Sequence, residues 1–201
     1  MDLDNALASF ASLAPLLLNP GESIVVVHKL AAFVSRYGTG VRVAGEFTGS
    51  LDNAGERLTL TGPLGEPILD FSYDPTWYPV TDGGGFSLVA VNPNAPPGAW
   101  GLAQNWRPSS GLGGSPGIAD PPPPAAVLTV ALTPGKALGL AWPVASGNFD
   151  LYSTATLDRP SQWIRVTNAP ALLGDRWIVN SEPPTNRACF YRLQGQSYGG
   201  P

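Results

Sequence analysis

One serine lies in the spacing that serine hydrolases use for their nucleophile. Gly113-x-Ser115-x-Gly117 matches a pattern in which the backbone N–H after the serine helps to form the oxyanion hole. The residue after the serine is Pro116, which has no N–H to donate. The histidine of that fold follows the serine in the chain, whereas the single histidine here, His28, precedes it. We therefore expect a loop at this position and no enzyme activity from it.

Acidic side chains are the second group that could do chemistry. Asp70, Asp74 and Asp82 fall along one strand-and-loop region, and carboxylate oxygens are the ligands that calcium takes. Residues 52–56 could add further oxygens, but Asp-Asn-Ala-Gly is ordinary turn chemistry and no set has EF-hand spacing. Asp70, Asp74 and Asp82 are calcium candidates on ligand chemistry alone. We otherwise expect no metal and no cofactor.

The single cysteine and a run of three glycines are both better explained by structural roles than by chemical ones. Cys189 is the only cysteine, so neither an intrachain disulfide nor a cysteine zinc site can form. It lies in a strand-like stretch, where a packed thiol is expected. The run 83–85 is all glycine, but no G-K-[ST] follows it, so we predict a turn rather than a phosphate loop.

Aromatic side chains outside the predicted strands are the best binding candidates. Such rings stack on sugars or pack against partner proteins. The alternative for Trp106 is that it plugs one end of the β core. The candidates are Trp77, Tyr78, Trp100 and Trp106.

The amino-acid composition limits the classes of protein to which this chain can belong. Of 201 residues, 24 are glycine and 22 are proline, which interrupts helices and favours an all-β chain with many turns. The 43% hydrophobic content with six tryptophans argues against disorder. The net charge of −4 opposes nucleic-acid binding. No apolar run is long enough for a membrane span, and the early Asp2 and Asp4 do not fit a secretory signal.

A run of four prolines, 121–124, divides the chain, because such a run favours an extended spacer. Residues 1–118 carry five basic and ten acidic side chains, and residues 119–201 carry six and five. We predict a first domain over 1–118, a linker over 119–126, a second domain over 127–195 and a glycine-rich tail over 196–201.

Periodicity predicts the elements of each domain. In the first, residues 24–27 form a β-branched run typical of a strand buried on both faces, and 29–37 have the apolar spacing of a short helix. Alternation around a turn at 62–65 predicts a hairpin, and 86–91 predicts another strand. The second domain shows five strand-like stretches: 138–142, 149–151, 163–166, 177–179 and 190–193.

The first domain resembles the bacterial lamin-tail domain. The similarity rests on an ordered series of short motifs rather than on one signature. The motifs are Asn19-Pro20-Gly21-Glu22, Gly45-Glu46-Phe47-Thr48-Gly49, Asp52-Asn53-Ala54-Gly55-Glu56, Asp82-Gly83-Gly84-Gly85, Asn105-Trp106 and Gly113-Gly114-Ser115-Pro116-Gly117. The resemblance implies an immunoglobulin-like β-sandwich. Domains of this family open with a strand or two before the point where Met1 falls, which implies a fragment of a longer polypeptide.

The second domain is similar to small fibronectin type III-like modules of secreted proteins from Verrucomicrobia and Planctomycetes. The matching pieces are residues 138–143, 149–153 and 190–193. Together the resemblances imply a non-catalytic structural, adhesion or protein-interaction module at the cell surface or outside the cell, with a protein or polysaccharide partner. The alternative is an accessory binding region of a secreted hydrolase whose catalytic domain lies upstream of Met1.

Overall fold

The structure is a computed structural model that describes residues 17–62, 64–133, 135, 137–182 and 188–195. Within these ranges the chain is mostly β-strand, in several small sheets, with one α-helix. It divides into two compact units that alternate along the sequence. Unit 1 comprises the described residues up to 77 with 96–101 and 115–120, and unit 2 comprises 78–95, 102–114 and the described residues from 121 onward. The predicted tail, 196–201, lies outside the described residues.

The helix of unit 1 connects two parallel strands. Strand β1, Val25–Val27, pairs with β2, Val43–Glu46, and helix α1, Leu30–Tyr37, lies between them in sequence. The predicted helix is therefore confirmed, and Gly38 ends it with a positive φ of 77°. The expectation that the first strand is buried on both faces is wrong, because Val26 is 40% exposed. A β-branched run indicates a strand, but burial depends on what the rest of the chain places against it.

The predicted hairpin of unit 1 is also present. Strand β3, Glu56–Thr61, pairs antiparallel with β4, Pro67–Tyr73. The turn is closed by the Gly62 N–H, which donates to the Glu66 carbonyl at 2.8 Å. Arg57 on β3 forms a two-bond ion pair with Asp70 on β4, which joins the strands on their exposed face.

Unit 2 contains three sheets. A short pair joins β5, Leu88–Ala90, to β6, Trp106–Pro108. Four strands form the order β11-β12-β8-β7, with β7 Thr129–Leu132, β8 Leu138–Pro143, β11 Ala171–Leu173 and β12 Arg176–Ser181. Three strands form the order β10-β9-β13, with β9 Phe149–Thr154, β10 Ile164–Arg165 and β13 Phe190–Gly195. The five predicted strands are all present, while β7 and β11 are additional.

Two apolar clusters form the core of unit 2. Leu140, Trp142, Leu151 and Val179 are each no more than 4% exposed, and they join the four-stranded to the three-stranded sheet. A second cluster joins Val80 and Phe86 to two residues of the 3₁₀ turn Val144–Ser146. This cluster crosses the predicted linker in sequence. The boundary predicted at 119–126 stays a prediction, and at its start the Pro121 carbonyl accepts hydrogen bonds from Arg107 and Ser110.

No helix within the described ranges is long and apolar enough to cross a membrane.

Candidate functional site

Unit 2 contains an apolar cleft of about 240 Å³. Three aromatic residues line it, Trp142, Phe149 and Trp177. Two exposed prolines, Pro79 and Pro170, also line it, together with Val80 and Asn148. We refer to these seven residues as the cleft.

Strand register brings the two tryptophans together. Trp142 on β8 is directly opposite Trp177 on β12, and opposed residues in an antiparallel pair project from the same face. Phe149 begins β9, the central strand of the neighbouring sheet. The cleft therefore lies where the four-stranded and three-stranded sheets of unit 2 meet, a position that depends on strand pairing rather than on local sequence.

Packing holds Trp142 in place. The ring is 1% exposed, and its indole N–H donates to no acceptor among the described residues. Leaving a buried donor unpaired costs about 1–3 kcal/mol. Trp142 is therefore held by its contacts with the core cluster of unit 2 and forms the buried base of the cleft. The half-buried rings of Phe149 and Trp177 are the aromatic surfaces that a ligand can reach.

The size of the cleft limits what it can hold. Pockets for complete small-molecule ligands generally measure about 300–1,000 Å³. A volume of about 240 Å³ lies below that range and suits one or two side chains of a larger partner. The wall carries no acidic, basic or nucleophilic side chain, so the cleft is suited to binding by contact and stacking.

The four aromatic candidates named from the sequence lie elsewhere, in different environments. Tyr78 is 6% exposed, and Trp106 lies on β6 with 9% exposure, so neither ring is presented to solvent. Trp77 and Trp100 are half-buried, and Trp100 packs against Phe71 with ring centroids 5.8 Å apart. Their role as ligand contacts stays a prediction.

Sequence reasoning missed Trp142 and Trp177 as site residues. It placed both residues on strands, and from strand alternation alone an inward-facing tryptophan is interpreted as part of the hydrophobic core. The signal that could have found them is the occurrence of two large rings near the ends of two strands of the same sheet. Their partnership follows from the register of β8 and β12.

Asp70 and Asp74, two of the three calcium candidates, are engaged in local bonds. The Arg57 guanidinium bound to Asp70 lowers the pKa of that carboxyl, and hydrogen bonds from Thr76 lower the pKa of Asp74. Asp82 is exposed and follows a 3₁₀ turn, Pro79–Thr81. No three histidine, cysteine, aspartate or glutamate side chains of the described chain form a group that could hold a metal ion.

The remaining chemical groups are also bound locally. The Ser115 hydroxyl donates to Asp120 at 2.7 Å. His28 is exposed, and its ring lies 5.3 Å from that of Phe47. Cys189 is half-buried just before β13 rather than inside it. The structure thus pairs Ser115 with a carboxylate, and no described contact joins it to His28 in a nucleophile–base pair.

No family model, no curated protein and no solved structure matches this chain. The resemblances to lamin-tail and fibronectin type III-like domains therefore stay predictions.

Proposed function

We propose that the chain is a non-catalytic protein-interaction module of a secreted or cell-surface bacterial protein. It comprises a lamin-tail-like immunoglobulin sandwich followed by a smaller fibronectin type III-like sandwich. The fibronectin-like part is supported by the four-stranded and three-stranded antiparallel sheets of unit 2, which share one buried cluster. The observation that carries the proposed function is the aromatic cleft.

The ligand class follows from the chemistry of the wall. Indole and phenyl faces bind flat apolar groups, and aromatic-lined grooves accept proline rings of extended peptides. A polyproline II segment loses little backbone entropy on binding, because proline already fixes φ. The cleft of about 240 Å³ accommodates one or two proline rings of a partner segment. We therefore propose a proline-containing extended segment as its ligand.

A decaproline peptide is the direct probe, with a glycine-serine peptide of equal length as its control. Pro170→Arg places a long charged side chain at the exposed rim of the cleft. Ala125→Arg adds the same side chain at an exposed position outside the cleft. Thermal melting of all three proteins checks that they fold equally well.

We expect decaproline to shift the tryptophan emission saturably, and the glycine-serine peptide to leave it unchanged. Pro170→Arg should weaken binding at least about tenfold, which corresponds to about 1.4 kcal/mol, while Ala125→Arg should leave it unchanged. Absence of saturable binding, or equal binding by the two variants, would overturn the proposed ligand and its site.

A further inference from the structure

Four consecutive prolines, residues 121–124, lie on the surface of unit 2, and we refer to them as the proline run. All four are exposed. At the start of the run, the Pro121 carbonyl oxygen accepts hydrogen bonds from the Arg107 guanidinium at 3.0 Å and from the Ser110 hydroxyl at 2.6 Å. Beyond its other end, Leu128 packs against the buried cluster of unit 2, and the next residue begins β7. The proline run is therefore presented to solvent between two points that the fold holds in place.

The chemistry of the proline run matches that of the cleft. Proline fixes φ, and consecutive prolines favour an extended rod that rises about 3.1 Å per residue. Residues 121–127 read Pro-Pro-Pro-Pro-Ala-Ala-Val and carry no charge, and the side chains that line the cleft are also uncharged. Because the ends of the run are already held, it loses little conformational entropy when it binds. The proline run is thus a preorganised ligand of the class proposed for the cleft.

The rest of the sequence offers no comparable segment. No other stretch has more than two consecutive prolines. The exposed pair Pro96 and Pro97 belongs to unit 1, and Pro97 begins the 3₁₀ turn Pro97–Ala99. The Ala99 N–H donates to the Pro96 carbonyl oxygen at 2.9 Å, so the chain turns there instead of continuing as an extended segment. The proline run is therefore the candidate within this chain.

Within one molecule the proline run does not enter the cleft, because none of its residues lines it. Given the proline-containing ligand proposed above, on which this assignment rests, we propose that the proline run of one copy of the chain occupies the cleft of a second copy. The half-buried rings of Phe149 and Trp177 receive the prolines. Because the cleft and the run are different surfaces of the same unit, the copies associate head to tail rather than through one patch that pairs with itself.

Two variants each remove one half of this contact. The run variant, Pro122→Ser with Pro123→Ser, interrupts the proline run at two exposed positions and leaves the cleft intact. Pro170→Arg obstructs the cleft and leaves the proline run intact. The matched control, Pro96→Ser with Pro97→Ser, makes the same double change at the exposed pair outside the run and the cleft. Thermal melting verifies that all three fold.

Sedimentation velocity, from micromolar to millimolar protein, measures the association. We expect the mass of the unmodified protein to rise with concentration. The run variant and Pro170→Arg should each weaken this association at least about tenfold, and the control should leave it unchanged. Decaproline should return the unmodified protein to monomers, and the glycine-serine peptide should not. This competition tests the site without any substitution, so it remains decisive if a variant fails to fold.

Mixing the two defective variants tests the direction of the contact. The run variant retains its cleft, and Pro170→Arg retains its proline run, so one can bind the other although neither binds itself. We expect the mixture to form pairs that contain one copy of each variant, and nothing larger. A fluorescein label on one variant identifies these pairs during sedimentation.

The proposed self-association is wrong if the unmodified protein stays monomeric over this range, if the association persists in either defective variant, or if the mixed variants do not pair. Saturable binding of decaproline to the unmodified protein tests the proposed ligand separately. If decaproline binds and the copies do not associate, only the self-association fails, and the ligand class stands. If decaproline does not bind, both proposals fail.

Discussion

Tyr191 shows how the core of unit 2 changes the chemistry of a single side chain. Burial is the largest cause that raises its pKa to about 12, and a hydrogen bond with the Cys189 thiol adds to the effect. A hydrogen bond with the Ser181 side chain acts in the opposite direction. The lone cysteine, which the sequence suggests is a packed thiol, thus contributes to the environment of a neighbouring phenol.

This shift predicts a loss of stability at high pH. An unfolded tyrosine loses its proton near pH 10, whereas folded Tyr191 retains it up to about pH 12. The contribution to stability is fully present below about pH 10 and is lost as the pH rises through about 12. The free energy of unfolding of Tyr191→Phe should therefore fall less between these pH values than that of the unmodified protein. Urea titrations at pH 9 and pH 12 test this, and parallel losses in the two proteins would contradict it.

At the scale of elements, the glycine run predicted as a turn is confirmed as a bend before Phe86. Gly83 and Gly85 both have positive φ, of 77° and 84°. Gly84 is required for a different reason, because a Cβ there would lie 2.3 Å from the Val80 carbonyl oxygen. Val80 is buried with Phe86 and also lines the cleft, so this glycine sets the position of one cleft wall.

Two alanine substitutions distinguish the requirement for a close contact at Gly84 from the requirement for a positive φ at Gly83. Gly84→Ala forces the Val80 backbone to move, and overpacking of this kind costs about 1–3 kcal/mol. Gly83→Ala meets open space but keeps an unfavourable φ, which costs about 1 kcal/mol. We expect Gly84→Ala to destabilise the protein more and to weaken decaproline binding, while Gly83→Ala leaves binding unchanged. Urea unfolding and the peptide titration measure both effects, and the reverse order would argue against the close contact.

At the scale of the whole molecule, the net charge governs which classes of partner the protein can bind. The chain carries 11 basic and 15 acidic side chains, with a net charge of −4. Affinity for a phosphate backbone comes mainly from lysine and arginine, which release its counterions. The ion pairs of Arg42, Arg57 and Arg165 further neutralise part of the positive charge.

We therefore expect the protein to pass unretained through heparin and double-stranded DNA resins at low salt. A basic protein of similar size serves as the positive control for each column. Retention that is released by a salt gradient would contradict the expectation, and would direct attention to the arginines of β10 and β13.

Local patterns predicted most of the elements correctly. The helix ending at Gly38, the hairpin of β3 and β4, and five strands of unit 2 were identifiable because side-chain alternation and turn chemistry are properties of neighbouring residues. Strands β2, β6, β7 and β11 were missed, and β6 lies in a segment that was expected to be mostly loop. Each has only three or four residues, too few to establish a period, and their pairing with β1, β5, β8 and β12 respectively defines them.

The candidate sites depended on long-range pairing. Trp142 and Trp177 form a wall only because β8 and β12 pair in one register, and Val80 reaches the cleft from a segment far away in the sequence. Val130 and Leu132 of β7 likewise look like ordinary strand residues until their pairing with Leu140 and Leu138 of β8 is known. The sequence by itself therefore determines the net charge and most of the local strands and turns. Which side chains are buried, and which lie close together, is decided by the free energy of packing distant segments against each other.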